Sequence, residues 1–388
     1  MSRPAHPDLA ALAGMRVHGL DLSYFTGKLQ AYLRYCELPF DFVDMDTAGL
    51  RRAARATGMA QMPAVELVDG RWMTDTTAII GWIEARRAGP EVTPRDPVLR
   101  FFSLLLEDYA DEWLWRPALH YRWSFQPDTA LMGRRIAAEM LRDVPGPLAL
   151  RTAVIIARQQ RKYVRGDGIT PATRDAVEDL YRRTLAALEA ILATRPFLLG
   201  DRPSLADVGF MGSMFRHFSL DPTPARIMRD TAPAVFEWVA RMWNARAPAF
   251  ANRALLDAVP DDWEPFLAEA ATGYLPYLAA NAEAAAAGQA SFAVTLQGVD
   301  WRLPVNLNRV ECLRALQAAF AALPADAAAS VRSRLDAAGA WAPLWRVTAP
   351  DIGFDPQGRL PFLTPETAWA PGAAPKRGRP TSHDGAAR

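Results

Sequence analysis

The stretch that most constrains the fold is residues 61–83, because its pattern indicates a strand, a tight turn, a second strand and a helix. Residues 64–68 are β-prone, and Asp69-Gly70 is a dipeptide typical of hairpin turns. Residues 71–74 supply the return strand. The pattern therefore predicts a β-hairpin that leads directly into a helix.

The helix and the start of the hairpin carry their own signals. Asp75, Thr76 and Thr77 offer N-cap side chains to an apolar run over 78–85. Pro63 stands immediately before the first strand and has no N–H to donate to a ladder, so it marks a strand start or an edge. A cis bond at this proline is an alternative that the local sequence leaves open.

Upstream of the hairpin, the chain shows a β-α-β-α pattern. Apolar alternation marks the strands, and apolar residues at helical spacing mark the first helix. With the hairpin and its helix, the order becomes β-α-β-α-β-β-α, which predicts a thioredoxin-like α/β domain over 15–90. The upstream elements are strands at 15–20 and 40–46 and helices at 27–38 and 50–57.

Three motifs in this region resemble the N-terminal domain of the cytosolic glutathione transferase family. There are two departures: Tyr24 replaces the usual Pro, and Thr76 replaces the usual Ser but keeps a hydroxyl. The motifs are Ser23-Tyr24-Phe25-Thr26-Gly27-Lys28, where the family has S-P-x-S-x-K or C-P-F-A-x-R; Met62-Pro63, where it has a residue followed by a cis-proline; and Asp75-Thr76, where it has Glu-Ser or Asp-Ser.

Residues 97–257 are predicted to form an all-helical domain. Ser204 and Asp207 make a Ser-x-x-Asp variant of the capping box at the start of a nearly all-apolar helix, 205–218. This string resembles the capping-box helix of the family's C-terminal domain. The segment 124–169 is longer than is usual for the family.

The chain continues beyond that domain with a unit that ordinary glutathione transferases lack. Residues 260–347 are predicted to form a small α+β unit, with a β-hairpin turning near Gly298 and two helices at 309–323 and 325–338. Longer helical C-termini occur in metaxin-like relatives.

The tail, 370–388, is rich in Pro, Gly and Ala, which favours disorder. Its segment Lys376–Pro380 resembles the core of an AT-hook, a reader of the DNA minor groove. A solubilising basic tail is the interpretation that we favour for a single copy.

Composition narrows the partners and the compartment. The net charge of +1 gives no overall attraction to nucleic acid or to acidic membranes. The only cysteines, Cys36 and Cys312, exclude a disulfide framework and a Cys-rich zinc site, and they suit a reducing compartment. No apolar run is long enough to span a bilayer, and the N-terminus lacks the apolar core of a secretory signal. We expect a cytoplasmic protein without a metal.

The resemblance implies a site for glutathione, an extended tripeptide with two carboxylates, one amine and one thiol. Met62 would pair with its backbone at the strand edge before Pro63. Thr76 would offer a hydroxyl and free amides to the γ-glutamyl carboxylate, in line with anion binding at helix N-termini, and Asp75 would meet the amine. The alternative is that Asp75 and Thr76 only cap the helix.

Ser23 is the candidate for activating the thiol. A hydroxyl donor at a helix N-terminus stabilises a thiolate and lowers the thiol pKa. Thr26, about one turn further on, and Tyr24 are alternatives, and a purely capping role for Ser23 is another. The absence of a cysteine from this loop argues against thiol–disulfide exchange.

The aromatic, acidic helix predicted from Leu104 toward Trp123 supplies candidates for a second, apolar pocket. Tyr109, Trp113 and Arg116 follow at spacings of four and three, so they share one face; together with Tyr24 they are the predicted lining of that pocket. Core or dimer packing is the alternative for this face. The acidic pairs Glu107/Asp111 and Asp108/Glu112 on the same helix are predicted to form a solvated or interfacial face. The single histidines His120 and His217 are assigned to core or surface roles.

Together these patterns predict a glutathione transferase that adds the thiolate of glutathione to a small electrophile. The resemblance also implies a homodimer, in which the N-terminal domain of one subunit meets the helices of the other. The main alternative is a non-catalytic interaction scaffold, which the extra C-terminal unit favours.

Overall fold

The protein is described by a computed structural model that covers residues 7–355 and 357–367. The predicted disordered tail at 370–388, with its Lys376–Pro380 motif, lies outside the described residues. Within the described part of the chain, no helix is both long enough and apolar enough to cross a membrane.

The N-terminal domain contains four strands and three helices. Their bounds are β1 Met15–Gly19, α1 Tyr24–Tyr35, β2 Phe40–Asp44, α2 Thr47–Thr57, β3 Ala64–Glu66, β4 Trp72–Met73 and α3 Thr76–Glu84. The sheet order is β2-β1-β3-β4, with β1 and β2 parallel and β3 antiparallel to both of its neighbours. This arrangement confirms the predicted order of elements and the thioredoxin-like fold.

Several boundaries differ from the sequence prediction, and two of them bear on the site. Helix α1 begins at Tyr24, three residues earlier than predicted, because Ser23 takes an extended conformation and occupies the N-cap position. Strand β4 is only two residues long, and the next residue, Thr74, donates its N–H to the carbonyl of Pro361 at 2.9 Å.

The second domain is all-helical, as predicted. Its helices are α4 Pro97–Glu112, α5 Trp115–Ser124, α6 Gln126–Met140, α7 Leu148–Gln159, α8 Arg174–Leu192, α9 Leu205–Ser213, α10 Pro222–Thr231 and α11 Pro233–Asn244. Helices α7 and α9 each continue into a π turn, Gln160–Val164 and Met214–Phe218.

Helix α9 is the buried centre of this domain, which confirms the prediction from its apolar sequence. The capping box is also confirmed: the Asp207 carboxylate accepts the Ser204 N–H at 2.9 Å and the indole N–H of Trp238 at 3.1 Å. A Cβ at Gly209 would lie 2.7 Å from the Cα of Glu107, so only glycine allows α9 to approach α4 this closely.

The additional α+β unit follows, and we call residues 261–349 the C-terminal unit. It contains α12 Glu264–Glu269, a π turn Ala270–Tyr274, α13 Leu275–Ala286, the hairpin β5 Ser291–Leu296 and β6 Val299–Pro304, α14 Leu307–Ala321, α15 Ala325–Ala337 and the short α16 Trp341–Leu344. The hairpin and both long helices agree with the sequence prediction.

The C-terminal unit lies on α4 of the helical domain. Arg309 donates to the Glu112 carboxylate at 2.9 Å, and the Tyr274 hydroxyl donates to Asp108 at 2.6 Å. The acidic residues of α4 therefore make interfaces within the chain. Of the two predicted alternatives, the structure supports the interfacial face and not the solvated one. Charged groups of this kind stay buried only when partners on a neighbouring element compensate them.

Candidate functional site

Three segments that are far apart in sequence meet at one edge of the N-terminal sheet. The register sets Ala64 opposite His18, near the end of β1, and Met73 opposite Val65. Because β3 runs antiparallel to β1 and β4, the end of β1, the start of β3 and the end of β4 lie at the same edge. The Ser23 loop, the Met62-Pro63 pair and the start of α3 follow or precede those strand ends.

Ser23 lies at the N-terminus of α1, and its hydroxyl is available to donate a hydrogen bond to a ligand. Its residue is half-buried, its backbone is extended, and its side chain makes no capping hydrogen bond. No hydrogen bond to its Oγ is present among the described residues. The structure therefore does not support a purely capping role for this side chain, and it leaves a donor at the positive end of a helix dipole.

The bond between Met62 and Pro63 is cis. Met62 precedes β3 and stands outside the paired register, which ends at Ala64. Its backbone groups are therefore not used by the sheet ladder. The neighbouring Gln61 donates its side-chain N–H to the Oγ1 of Thr74 at 2.7 Å, which links this loop to the end of β4.

Asp75 and Thr76 form the start of α3. The Asp75 carboxylate accepts the N–H of Ala78 at 3.0 Å, so the predicted cap is present. Asp75 also has a φ of 71°, a backbone conformation that non-glycine residues rarely adopt and that is found preferentially at functional sites. Burial raises the pKa of Asp75, and the bond from Ala78 opposes this shift.

A buried ionic cluster lies beneath the site, and sequence reasoning did not find it. Lys28 is fully buried and donates to the carboxylates of Glu107 and Asp111 on α4. Thr77 connects the cluster to the start of α3: its hydroxyl donates to Glu107 at 2.7 Å and accepts from Lys28 at 3.2 Å. The cluster thus joins α1, α3 and α4 directly under the predicted γ-glutamyl position.

Burial and charge pairing act on this cluster in opposite directions. Burial disfavours the charged ammonium of Lys28 and by itself would lower its pKa. The attraction of Asp111 and Glu107 outweighs burial, so the pKa of Lys28 is raised. Burial raises the pKa of Asp111, and Lys28 offsets that shift in part. The sequence did contain a signal, namely two acidic residues four apart on an apolar helix and a lysine in the motif Ser23–Lys28, but nothing local showed that they meet.

The alternatives to Ser23 are less accessible. Tyr24 is buried, its hydroxyl donates to the carbonyl of Ala110, and its ring lies against Trp115 at a centroid distance of 5.7 Å. Thr26 is also fully buried, and its Oγ1 has no hydrogen-bond partner among the described residues. The structure therefore places Tyr24 in the interface between the domains.

Tyr109, Trp113 and Arg116 do not share one helix, because α4 ends at Glu112 and Arg116 belongs to α5. Tyr109 lies on the side of α4 opposite Glu107 and Asp111, given 3.6 residues per turn. All three contact the C-terminal unit: Trp113 donates to Glu269 at 3.4 Å, and the Arg116 guanidinium lies over the rings of Trp113, Tyr277 and Trp301 at 5.1, 4.6 and 5.6 Å. The residues predicted to line a pocket thus pack against the C-terminal unit, where Trp113 and Arg116 line one cavity and Tyr109 lines another.

A different group of aromatic residues lies beside the Ser23 loop. Phe25 and Trp115 are half-buried and stacked at 5.8 Å, and Tyr163 meets Trp115 edge-on at 5.6 Å. Tyr163 belongs to the π turn that ends α7, within the segment that is longer than usual for the family. π turns are often found at functional sites. Sequence reasoning missed these three rings because they come from three separate elements.

The two histidines are buried. Burial lowers the pKa of His120 and lowers that of His217 strongly, which favours the neutral form of both imidazoles. In the part of the chain that the structure describes, no group of three or more His, Cys, Asp or Glu side chains is arranged to hold a metal ion.

The chain was compared with known families and solved structures. Residues 17–91 match the family model of the glutathione S-transferase N-terminal domain, and residues 171–241 match that of the C-terminal domain. No curated protein matched the chain.

Several solved structures are similar. A glutathione S-transferase from Pseudomonas fluorescens is 17% identical, with a TM-score of 0.38, and the match covers 58% of this chain and 93% of that chain. One from Rhodospirillum rubrum is 17% identical over 64% of this chain and 97% of its own, with a TM-score of 0.41. One from Methylobacterium radiotolerans, in complex with glutathione sulfonate, is 20% identical, with a TM-score of 0.37. That match covers 64% of this chain and 100% of the other chain. With both domain models matched in this order on a thioredoxin-like and an all-helical domain, the chain belongs to the glutathione transferase superfamily.

Proposed function

We propose that the protein is a glutathione transferase whose site is the sheet edge formed by Ser23, Met62-Pro63 and Asp75-Thr76. The observation that carries this proposal is that two helix N-termini lie at the same edge of the sheet as the unpaired backbone of Met62, which precedes β3. Helix N-termini attract anions, and the backbone of Met62 is free to pair with an extended peptide. Both features suit a tripeptide that carries two carboxylates and one thiol.

In the proposed reaction, the Ser23 hydroxyl donates a hydrogen bond to the sulfur of glutathione. The dipole of α1 and this bond favour the thiolate, and the thiol proton passes to solvent. The sulfur lone pair then forms a bond to the electrophilic carbon of the second substrate. In an addition, the π electrons of that carbon move to the neighbouring atom, which takes a proton from solvent; in a substitution, the bond to the leaving group breaks and its electron pair departs with that group. We place that substrate against Phe25, Trp115 and Tyr163, whose half-buried rings lie next to the Ser23 loop.

We further propose that the protein is cytoplasmic and acts as a homodimer. The C-terminal unit already covers one face of α4, as the Arg309–Glu112 and Tyr274–Asp108 contacts show. A second subunit would therefore have to use other surfaces of the helical domain.

Titration of thermal stability with glutathione tests the binding step, because a ligand that binds only the native state must raise the melting temperature. Conjugation of glutathione to a generic aromatic electrophile tests the chemistry. We expect Ser23→Ala to lower kcat by about tenfold or more, as loss of a catalytic donor does, with binding nearly unchanged. Thr26→Val is the matched control and should leave kcat unchanged.

The outcomes separate the candidates. No stabilisation by glutathione would reject the transferase proposal, and an unchanged kcat in Ser23→Ala would reject the role of that residue. Binding without turnover would support the second candidate, a non-catalytic scaffold, which the additional C-terminal unit favours.

A further inference from the structure

The segment after the C-terminal unit returns to the N-terminal domain and reaches the site. We call the described residues 350–355 and 357–367 the C-terminal arm. The carbonyl of Pro361 accepts the N–H of Thr74 at 2.9 Å, immediately after β4. β4 is the last strand of the sheet, so the arm occupies the edge that would otherwise be open.

Thr74 connects the arm to both halves of the proposed glutathione site. Its Oγ1 accepts the side-chain N–H of Gln61 at 2.7 Å, and Gln61 directly precedes Met62-Pro63. On its other side Thr74 directly precedes Asp75, whose φ of 71° is unfavourable for a non-glycine residue. The residue itself is fully buried. Contacts to its N–H and its hydroxyl therefore determine how the two halves are placed relative to each other.

The residues that flank the Thr74 contact fasten the arm. The ring of Phe362 lies edge-on to Trp82 of α3 at 5.4 Å, and the Arg71 guanidinium lies over the same ring at 4.7 Å. Leu363 is buried, with 1% of its surface exposed. Before Pro361, the Asp355 carboxylate accepts the backbone N–H groups of Arg359 and Leu360 at 2.8 and 2.9 Å, which fixes the turn that presents the Pro361 carbonyl.

We propose that the C-terminal arm positions the glutathione site, with Phe362 and Leu363 as the positioning residues and the Pro361 carbonyl as the contact that holds Thr74. This inference rests on the proposed function. It assigns a role in glutathione affinity to a segment that lies outside both matched family domains. The arm touches no reacting atom, so its expected effect is on glutathione affinity and KM and not on kcat.

The test uses the full chain with Phe362→Ala, compared with Trp341→Ala. Trp341 also loses aromatic contacts, to Phe320 and Trp345, but it lies within the C-terminal unit. We expect Phe362→Ala to raise the Kd and the KM for glutathione by about tenfold, which corresponds to a loss of about 1.4 kcal/mol, with kcat within about twofold of the parent on the same scale. Phe362→Tyr should restore the affinity, and Trp341→Ala should leave it unchanged.

A readout that does not depend on glutathione accompanies this test. In Phe362→Ala the arm should detach more often, and the Thr74 amide then loses its hydrogen bond to the Pro361 carbonyl. Hydrogen exchange at residues 72–78 should therefore be faster. If the unmodified chain binds glutathione and Phe362→Ala binds it equally well, the inference is overturned while the proposed function stands. If the unmodified chain does not bind glutathione, the proposed function fails and the inference fails with it.

Should Phe362→Ala prove unstable, Leu363→Val is the milder variant. It shortens the buried anchor by one methylene and should raise Kd by about threefold, an effect of well under 1.4 kcal/mol. An unchanged Kd in that variant, with faster exchange of the Thr74 amide, would show that the arm contacts the site without setting its affinity, and this too overturns the inference.

Discussion

The two faces of α4 differ in what they contact and in what holds them. One face carries Glu107 and Asp111, which meet Lys28 of the N-terminal domain beneath the proposed site. The opposite face carries Tyr109, and Trp113 and Arg116 follow just after the end of α4. All three meet the C-terminal unit through aromatic and cation–π contacts. The first face depends on paired charges and the second on packed rings. Changes on the first face should therefore reach glutathione binding, whereas changes on the second should affect stability alone.

Removal of the lysine should break the first face. In Lys28→Met, two buried carboxylates lose their cation, and we expect a loss of about 3–5 kcal/mol in the free energy of unfolding, as for other broken buried ion pairs. Urea denaturation measures this value. In the triple variant with Glu107→Gln and Asp111→Asn, much of the loss should be recovered, because no uncompensated charge is then left. Parent-like stability of Lys28→Met would show that the cluster does not hold the domains together.

The second face is tested by Trp113→Ala. We expect it to lower the free energy of unfolding by about 3 kcal/mol, because a large buried side chain leaves a cavity against Tyr274 and Tyr277. The affinity for glutathione, measured by calorimetry on the folded variant, should stay within about twofold of the parent. A larger fall in affinity would mean that the two faces are coupled and that the contrast is false.

Asp108 is an acidic residue of α4 that contacts the C-terminal unit, and its titration should make the free energy of unfolding depend on pH. Burial raises its pKa to about 7, and the Tyr274 hydroxyl, which donates to it, partly opposes the shift. The folded state therefore holds a proton that the unfolded state has released between about pH 4 and pH 7, so this group's contribution to stability falls as pH rises through that range and is constant above it. We expect a change of about 2 kcal/mol, less than the full shift implies, because Asp108 retains some contact with solvent.

Asp108→Asn should abolish that part of the pH dependence. The free energy of unfolding of the parent and the variant, measured between pH 4.5 and 8 (roughly the range of the titration), should diverge in favour of the variant as pH rises. Parallel profiles would show that Asp108 titrates normally.

The smallest expected effect comes from Thr77, which joins the first face to α3. Thr77→Val removes the hydroxyl that donates to Glu107 and accepts from Lys28, and it should cost about 0.5–1.5 kcal/mol. It should also weaken glutathione binding slightly, whereas Thr77→Ser should restore both properties. If Thr77→Val changes stability but leaves binding unaltered, the first face supports the fold and not the site.

Much of the architecture was predictable from local patterns. The order of strands and helices in the N-terminal domain, the capping box at Ser204 and Asp207, and the hairpin near Gly298 all follow from neighbouring residues, and the structure confirms them. The positions of the site residues at strand and helix ends were also open to prediction, because caps and turns are set over a few residues. The functional roles of Ser23, Met62, Asp75 and Thr76 stay predictions.

What the sequence alone determined is which residues share an element and which share a face, since helical and strand periodicity follow from backbone geometry. It predicted one face for Tyr109, Trp113 and Arg116, but α4 ends at Glu112. Periodicity also says nothing about what packs against these residues, which contact the C-terminal unit. Only the tertiary structure decided that Lys28 meets Glu107 and Asp111, and that Pro361 meets Thr74 across nearly 290 residues. Such contacts depend on how separately stable elements pack against each other, and no local rule encodes them.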